Sequence, residues 1–417
     1  MRTRLQVREA QEIVLEAARP LPPETVAAAD ALGRILAEPV GSDRTLPPAD
    51  CSAMDGFAVR AEDLEGAGPD RPREFPVVFE VAAGDQAERA LARGEAARIF
   101  TGAALPPGSD TVVRQEDTER DGERVRMLVV PRPGDHVRRA GEDVRAGDDV
   151  LARGVCLRAA HLGMLSALGR SVVAVRQRPR VALLSGGDEL VEPDRPVTGG
   201  RIVSSNSYSL AAQCRELGAD PLYLGIARDR PEEIERHLRA GLRCDVLVSS
   251  AGVSVGDRDF VREVLEKLGC RLIFWGVEMK PGFPIAFGRF EDGPLVFGLP
   301  GNPVSAMVTF EVFVRPALLK MAGHTKLFRP RLRARLREAL SKSAGRMHFV
   351  RVHLERGEDG EISATPAGNQ SSGVLGSMTR AGGLLLFPAE ATELPAGAEA
   401  TVQVLDQDFF TEAESGL

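Results

Sequence analysis

The chain has 417 residues, 43% of them hydrophobic, and a formal net charge of -7. That length exceeds what one core fills, so several domains are expected, and the acidic balance argues against nucleic acid as a partner, because such binding draws on clustered positive charge. Cys51, Cys156, Cys214, Cys244 and Cys270 form no C-x-x-C pair, the N-terminus lacks an apolar core of signal-peptide length, and no stretch reaches the roughly 18 apolar residues of a membrane span; a cytoplasmic protein with reduced thiols and no membrane partner is expected.

In chain order, residues 7 to 37 read as helix, with Val7, Ile13, Val14, Leu15 and Ala18 on one stripe and a break at Pro20 to Pro23. From about Leu46 to Val144 the text turns β-rich, with short runs at 76–81, 96–100, 111–115 and 125–130 between Gly, Pro and Asp clusters. Helix returns at 158–168, and Arg178-Pro179 reads as a hinge. Between Arg180 and about Gly323 strands alternate with helices, which calls for a mostly parallel sheet covered on both faces. Helices at 207–217 and 260–268 each present an apolar face and stop at a glycine, Gly218 and Gly269, as crossovers of a doubly wound fold do. The end of the chain returns to β runs at 348–354, 384–387 and 400–405. The fold class expected is therefore multidomain α/β plus β: a doubly wound, mostly parallel α/β domain at 179–325, a β-rich insert at 46–143, a helical and β linker domain from 1–45 with 144–178, and a C-terminal β domain at 326–417.

Three strand-loop-helix junctions stand out in the α/β region. Val181-Ala182-Leu183-Leu184 runs into Ser185-Gly186-Gly187-Asp188-Glu189, Val246-Leu247-Val248 into a loop that carries Gly252, Ser254, Asp257 and Asp259, and Leu295-Val296-Phe297 into Gly298-Leu299-Pro300-Gly301-Asn302-Pro303. Ligands of such sheets bind beyond the carboxyl ends of the strands, and helix-start N–H groups there favour an anion. Carboxylates beside those amides repel an anion unless a divalent cation lies between, so the loops together predict a magnesium-bridged phosphate or oxyanion site. Adjacent Asp188 and Glu189 fit metal or hydroxyl binding, and Lys280, on a Pro-Gly turn, fits a point charge for an oxyanion. Bland readings stand beside these. Asn302-Pro303 makes a good helix start, Asp229 with Glu232 makes a capping pair, either Asp257 or Asp259 fits an N-cap, and the segments 52–58 and 100–102 fit ordinary turns. The histidines show no zinc spacing, and no G-x-S-x-G is present.

Six motifs in order carry a resemblance over nearly the whole chain: Asp50-Cys51-Ser52-Ala53-Met54-Asp55-Gly56-Phe57-Ala58, Thr101-Gly102-Ala103, Arg138-Arg139-Ala140-Gly141-Glu142-Asp143, Ser185-Gly186-Gly187-Asp188-Glu189-Leu190, Ser250-Ala251-Gly252-Val253-Ser254-Val255-Gly256 and Gly298-Leu299-Pro300-Gly301-Asn302-Pro303-Val304-Ser305. This series resembles the MoeA-type molybdopterin molybdenumtransferases, relatives of the gephyrin E domain. The resemblance implies a magnesium-dependent homodimer that takes two small-molecule substrates, molybdate and adenylyl-molybdopterin, inserts the metal and releases AMP, with the adenylyltransferase of the same pathway as a possible partner. It further implies Asp188, Glu189, Asp229, Asp257 and Asp259 around the adenylate, with Asp229 and Asp259 as metal ligands. Asp55, Thr101, Arg138 and Asp143 are implied to reach the cleft from the β-rich domain of the other subunit. Lys280, Pro300, Pro303, Arg351 and Ser372, with Gly252 and Ser254, are implied to hold the substrates. The chain departs from many relatives in having Gly276 and Phe283 where they have lysines. The alternatives are a molybdopterin adenylyltransferase and a non-catalytic, gephyrin-like scaffold.

Overall fold

The computed structural model describes residues 1–250 and 260–411. By internal contacts the chain forms two units, one from Met1–Val26, Ala31–Ala37 and Ala174–Leu417, the other from Ala27–Asp30 and Glu38–Val173.

The first unit is built on a seven-stranded sheet of β1 (Arg2–Leu5), β2 (Arg180–Gly186), β3 (Asp220–Ala227), β4 (Val246–Ser250), β5 (Arg271–Val277), β6 (Ala286–Arg289) and β7 (Leu295–Leu299), in the order β1-β5-β6-β7-β4-β2-β3. Every pairing is parallel except those of β6, which runs against both neighbours. β4 and β7 are buried along their whole length, which is why they read in sequence as unbroken apolar runs instead of alternating ones. Their side chains point in turn to two cores. Val181, Leu183, Val246, Val248 and Phe297 face Leu210 and Cys214 of α2 (Asn206–Glu216) and the helical segment after β7. Ala182, Leu184, Leu247 and Val296 face Ile234 and Leu238 of α3 (Pro231–Gly241) and Val261, Val264 and Leu265 of α4 (Phe260–Lys267). Each such buried aliphatic side chain stabilises the fold by about 1.5–3 kcal/mol. β7 leads into α5 (Pro303–Thr309), a single π-helical turn at Phe310–Val314, and α6 (Arg315–Met321).

The same unit ends in a barrel of β8 (Arg331–Leu336), β9 (Met347–Arg356), β10 (Ile362–Pro366), β11 (Gly383–Phe387) and β12 (Glu399–Val404), ordered β9-β10-β8-β12-β11 and closed by pairing of β11 with β9. A two-residue strand, Met279–Lys280, follows the carboxyl end of β5 and pairs with Met347 and His348 at the start of β9. Lys280 is thereby fixed against the barrel.

In the second unit a six-stranded sheet runs in the order Thr111–Arg114, Gly56–Val59, Ala96–Ile99, Arg73–Val81, Arg124–Met127, Thr118–Asp121. Helix Ala159–Ala167 lies later in that unit.

One expectation is corrected. The helix read over residues 7 to 37 ends at Ala17, and Pro23–Ala27 is a strand. Pro20, Pro22 and Pro23 remove three backbone donors, and the Thr25-Val26 pair that follows favours extended structure, so the apolar residues beyond the break resume no α-helix and form only a single 3-10 turn at Ala28–Asp30. Among the described residues no helix is long and apolar enough to cross a membrane.

Candidate functional site

Six of the seven strands run the same way, so their carboxyl ends share one edge, where the loops after β2, β3, β4 and β7 emerge. Gly186 is paired with Ala227, the last residue of β3, and Gly187 N–H donates to Ala227 O at 3.1 Å, which tucks the Asp188 turn against the end of β3. The Asp229 N–H lies 3.4 Å from Asp188 Oδ1, and Arg228 Nη1 donates to Asp188 O at 2.8 Å. Gly187 has φ +137, and a Cβ built there would sit 2.5 Å from Glu189 Oε2; the glycine lets the Glu189 carboxylate fold over the turn. Asp188, Glu189 and Asp229, all exposed, are thus brought together. Among the described residues no set of three His, Cys, Asp or Glu side chains forms a metal cage. Gly252, Ser254, Asp257 and Asp259 lie outside the described residues.

Behind the carboxylates the strand ends carry buried hydroxyls. Ser185 Oγ is 3.4 Å from Ser250 Oγ and 3.3 Å from Ser204 Oγ, which in turn is 3.1 Å from Ser207 Oγ. Asn206, at the start of α2, donates through Nδ2 to Gly301 O at 2.8 Å and so ties that helix to the Pro300–Pro303 loop. Its Oδ1 is buried with no hydrogen-bond partner among the described residues, an acceptor whose desolvation is uncompensated in the free protein. Val304 N–H, just after Pro303, donates to Ser372 O at 3.1 Å. That bond lays the 368–372 loop over the amino end of α5 and brings Pro300, Pro303 and Ser372 into one neighbourhood.

A cavity of about 420 Å³ opens beside Lys280, with Lys342, Arg346, His348 and Arg351 in its wall and no carboxylate among its lining residues. Arg351 is 1% exposed. Its guanidinium donates to Ser377 Oγ at 3.2 Å and to Ser371 O at 3.2 Å, both neutral partners, and burial pulls its pKa down to about 10. Gln370 holds the backbone of Arg351 at both ends, accepting from its N–H at 2.9 Å and donating to its carbonyl at 3.0 Å. Burial lowers the Lys342 pKa; its Nζ lies 4.9 Å from the centre of the Phe387 ring. His348 is held neutral, its pKa pushed down to about 4 by burial and then by Lys280, Lys342 and Arg346. The expected departure near Lys280 has a structural reason. Gly276 has φ +79, which a lysine adopts only under strain, and the Phe283 ring carries the Arg346 guanidinium at 4.3 Å. Buried Glu278 anchors that arginine at 3.2 Å and Arg4 at 2.7 Å. Positive charge thus reaches the cavity from Lys342 and Arg346 on the barrel side, two residues that the sequence reading passed over.

In the second unit Asp55 Oδ1 accepts from Thr101 N–H at 2.8 Å and Thr101 Oγ1 at 2.7 Å, and these two bonds, the backbone one first, hold its pKa below the usual carboxylate range. Arg138 sits on a two-residue strand paired with Cys51–Ser52, and its Nε donates to Glu142 at 2.9 Å. Asp50 secures the same turn through Ala140 N–H at 2.8 Å and Arg139 Nη1 at 2.6 Å. Asp143 closes the turn with its N–H on Leu46 O at 3.1 Å.

Comparison with known proteins decides the family. Three family models match in series: "MoeA N-terminal region (domain I and II)" at residues 5–169, "Probable molybdopterin binding domain" at 182–320 and "MoeA C-terminal region (domain IV)" at 333–405. The chain is 40% identical over 377 residues to the molybdopterin molybdenumtransferase of Nostoc sp., covering 89% of this chain and 86% of that protein. The chain belongs to the MoeA family. Other relatives of this MoeA-family chain include molybdopterin molybdenumtransferase 2 of Mycobacterium tuberculosis, 38% identical over 95% of this chain and 98% of the relative. Two crystal structures of the molybdopterin biosynthesis MoeA protein of Pyrococcus horikoshii superpose with TM-scores of 0.83 and 0.80, at 32% and 30% identity, over 97% and 96% of this chain and 99% and 100% of those chains.

Proposed function

We propose that this chain is a molybdopterin molybdenumtransferase that inserts molybdate into adenylyl-molybdopterin and releases AMP. The observation that carries the reading is the carboxylate-free cavity with buried Arg351 in its wall, a cation with no counter-ion that needs an anion to complete it. Lys280, Lys342, Arg346 and Arg351 give a tetrahedral dianion such as molybdate donors from several sides, and neutral His348 adds a hydrogen-bonding ring nitrogen. Pro300, Pro303 and Ser372 hold the loop at its border. Asn206 Oδ1 offers an acceptor, and the Ser185, Ser204 and Ser250 hydroxyls offer donors, to the pterin and phosphate portions of the second substrate.

Asp188 and Asp229 form a pair of hard oxygen donors on adjacent strand ends, which suits Mg²⁺, an ion that keeps several waters and takes one or two carboxylates together with substrate phosphates; Asp257 and Asp259, the latter the second ligand that the resemblance implies, lie outside the described residues and join this set on sequence alone. Held by those carboxylates, the ion would compensate the charge of the phosphoanhydride. Cleavage of that anhydride consumes one water, frees AMP and leaves the terminal phosphate on the pterin. The side chains bind and orient; no protein nucleophile is required. We read the active form as a cytoplasmic homodimer in which Asp55, Thr101, Arg138 and Asp143 of one protomer complete the site of the other, and the chain as four domains with the boundaries given above. Its adenylylated substrate comes from the adenylyltransferase of the same pathway.

The test is to supply adenylyl-molybdopterin with and without molybdate, and separately ATP with molybdopterin. Molybdate-dependent AMP release is expected. Pyrophosphate release from ATP, or turnover in neither mixture, overturns the proposal in favour of an adenylyltransferase or a scaffold.

A further inference from the structure

A second cationic cavity, of about 350 Å³, lies at the opposite end of the sheet from the carboxylate loops. Its wall holds Arg178, two residues before β2, the Leu217-Gly218 turn that leads into β3, and the segment after α6. Six cations line it: Arg34, Arg176, Arg178, Arg315, Lys326 and Arg329. Glu216 is the one carboxylate residue in the lining; Glu24 and Glu311 reach Arg34 and Arg329 from outside it.

Arg315 and Arg329 mark this cluster as more than a solvated surface. Arg329, 9% exposed, is gripped by Glu311 at 3.1 Å through both Nε and Nη2, which leaves Glu311 3.6 Å from Arg315 Nε. That Nε is buried and has no hydrogen-bond partner among the described residues. Arg178 and Lys326 are exposed and make no ion pair among the described residues, although the chain as a whole is acidic. Helix-end compensation does not account for the cluster, because the carbonyls that end α2 and α6 are already capped: Gly218 N–H bonds Arg215 O, Ala219 N–H bonds Cys214 O, Gly323 N–H bonds Lys320 O and His324 N–H bonds Leu319 O. Burial, and after it the nearby Arg315, lowers the His324 pKa.

We propose that this cavity is a second anion site, separate from the molybdate pocket, that takes a diphosphate group, either as inorganic pyrophosphate or as the tail of a nucleotide. The guanidiniums of Arg178 and Arg315 offer charge-assisted donors to phosphate oxygens, Arg329, whose fork Glu311 holds, adds positive charge, and Lys326 at the rim supplies a mobile point charge. Three carboxylates against six cations leave an excess that suits a multiply charged ligand better than a single carboxylate. The volume admits a pyrophosphate and, at its open side, a nucleoside.

Titration calorimetry of the full chain in low-salt buffer with a chelator, using pyrophosphate in one arm and ADP in the other, tests this. The chelator keeps the acidic loops from recruiting a metal-bound nucleotide. Saturable binding is expected, weakened at least about tenfold in Arg178→Glu/Lys326→Glu, retained in the charge-preserving Arg178→Lys/Lys326→Arg and unchanged in Lys280→Gln. Tighter binding of ADP assigns the site to a nucleotide, and equal or tighter binding of pyrophosphate to the inorganic ion. No binding in either arm, or binding that Lys280→Gln removes and Arg178→Glu/Lys326→Glu does not, overturns the proposal whatever the enzyme's turnover.

Discussion

Asp188, Glu189 and Asp229 stand exposed at the ends of β2 and β3, whereas Arg351, on the barrel strand β9, is 1% exposed and faces only neutral partners. Exposed carboxylates keep their hydration and cost the free protein little. A buried guanidinium without a carboxylate does cost stability, and the lowered Arg351 pKa records it. The acidic loops can therefore wait for a metal and a phosphate, while the basic cavity is pre-strained toward its anion. In the proposed function, this contrast is the ground for giving the two substrates different ends of the site.

The contrast breaks most sharply under Asp188→Asn/Asp229→Asn. AMP release should fall on the order of a thousandfold, as expected when charge compensation at a reacting phosphate is lost, while molybdate binding, followed by calorimetry without pterin, stays within about twofold of the parent. Equal losses in both assays would merge the two ends into one. Lys280→Gln should do the reverse, weakening molybdate about tenfold for one charge-assisted contact and leaving pterin binding unchanged. Gly187→Ala probes the acidic turn alone. With φ +137 and Glu189 over the position, it should lower stability by about 1–3 kcal/mol in denaturant melts, with the molybdate pocket intact.

The smallest effect is that of pH. The folded His348 pKa of about 4 lies below the ordinary 6.5, so between those values the unfolded chain binds more protons than the folded one and stability falls as pH falls. The contribution is complete above pH 6.5 and fades as pH drops toward 4. His348→Phe should flatten that part of a stability-against-pH curve. In the parent, molybdate binding should tighten over the same window, because a bound dianion raises the histidine's pKa; an unchanged slope in the variant would remove His348 from the pocket.

Much of the fold was legible because its central strands are buried on both faces. β2, β4 and β7 carry apolar runs of Val, Ala, Leu and Phe, and the helices between them end at or just before glycines. The strand at Pro23–Ala27 was not legible, since the alanines that follow it, Ala28, Ala29 and Ala31, carry the helical look past the proline cluster and mask the Thr25-Val26 pair. In the site, Asp188, Glu189 and Lys280 announced themselves by sitting next to glycine or proline at strand ends. Asn206 did not, because an Asn among serines before a helix has an ordinary capping role, and only its unpaired Oδ1 sets it apart. Lys342 and Arg346 lie more than 60 residues from Lys280 in sequence and come to it through the short pairing of Met279–Lys280 with β9, which no local pattern encodes. Phe283 looked like lost charge. It is the platform on which Arg346 restores it.

The central claim is that Arg351 is buried for the sake of an anion and not for the fold. Molybdate titration of Arg351→Met, paired with a denaturant melt of the free protein, tests it most directly. The account predicts binding weakened on the order of a hundredfold with stability unchanged or raised by about 1 kcal/mol. Molybdate affinity equal to the parent's, or a free protein that loses several kcal/mol with the arginine, would contradict it.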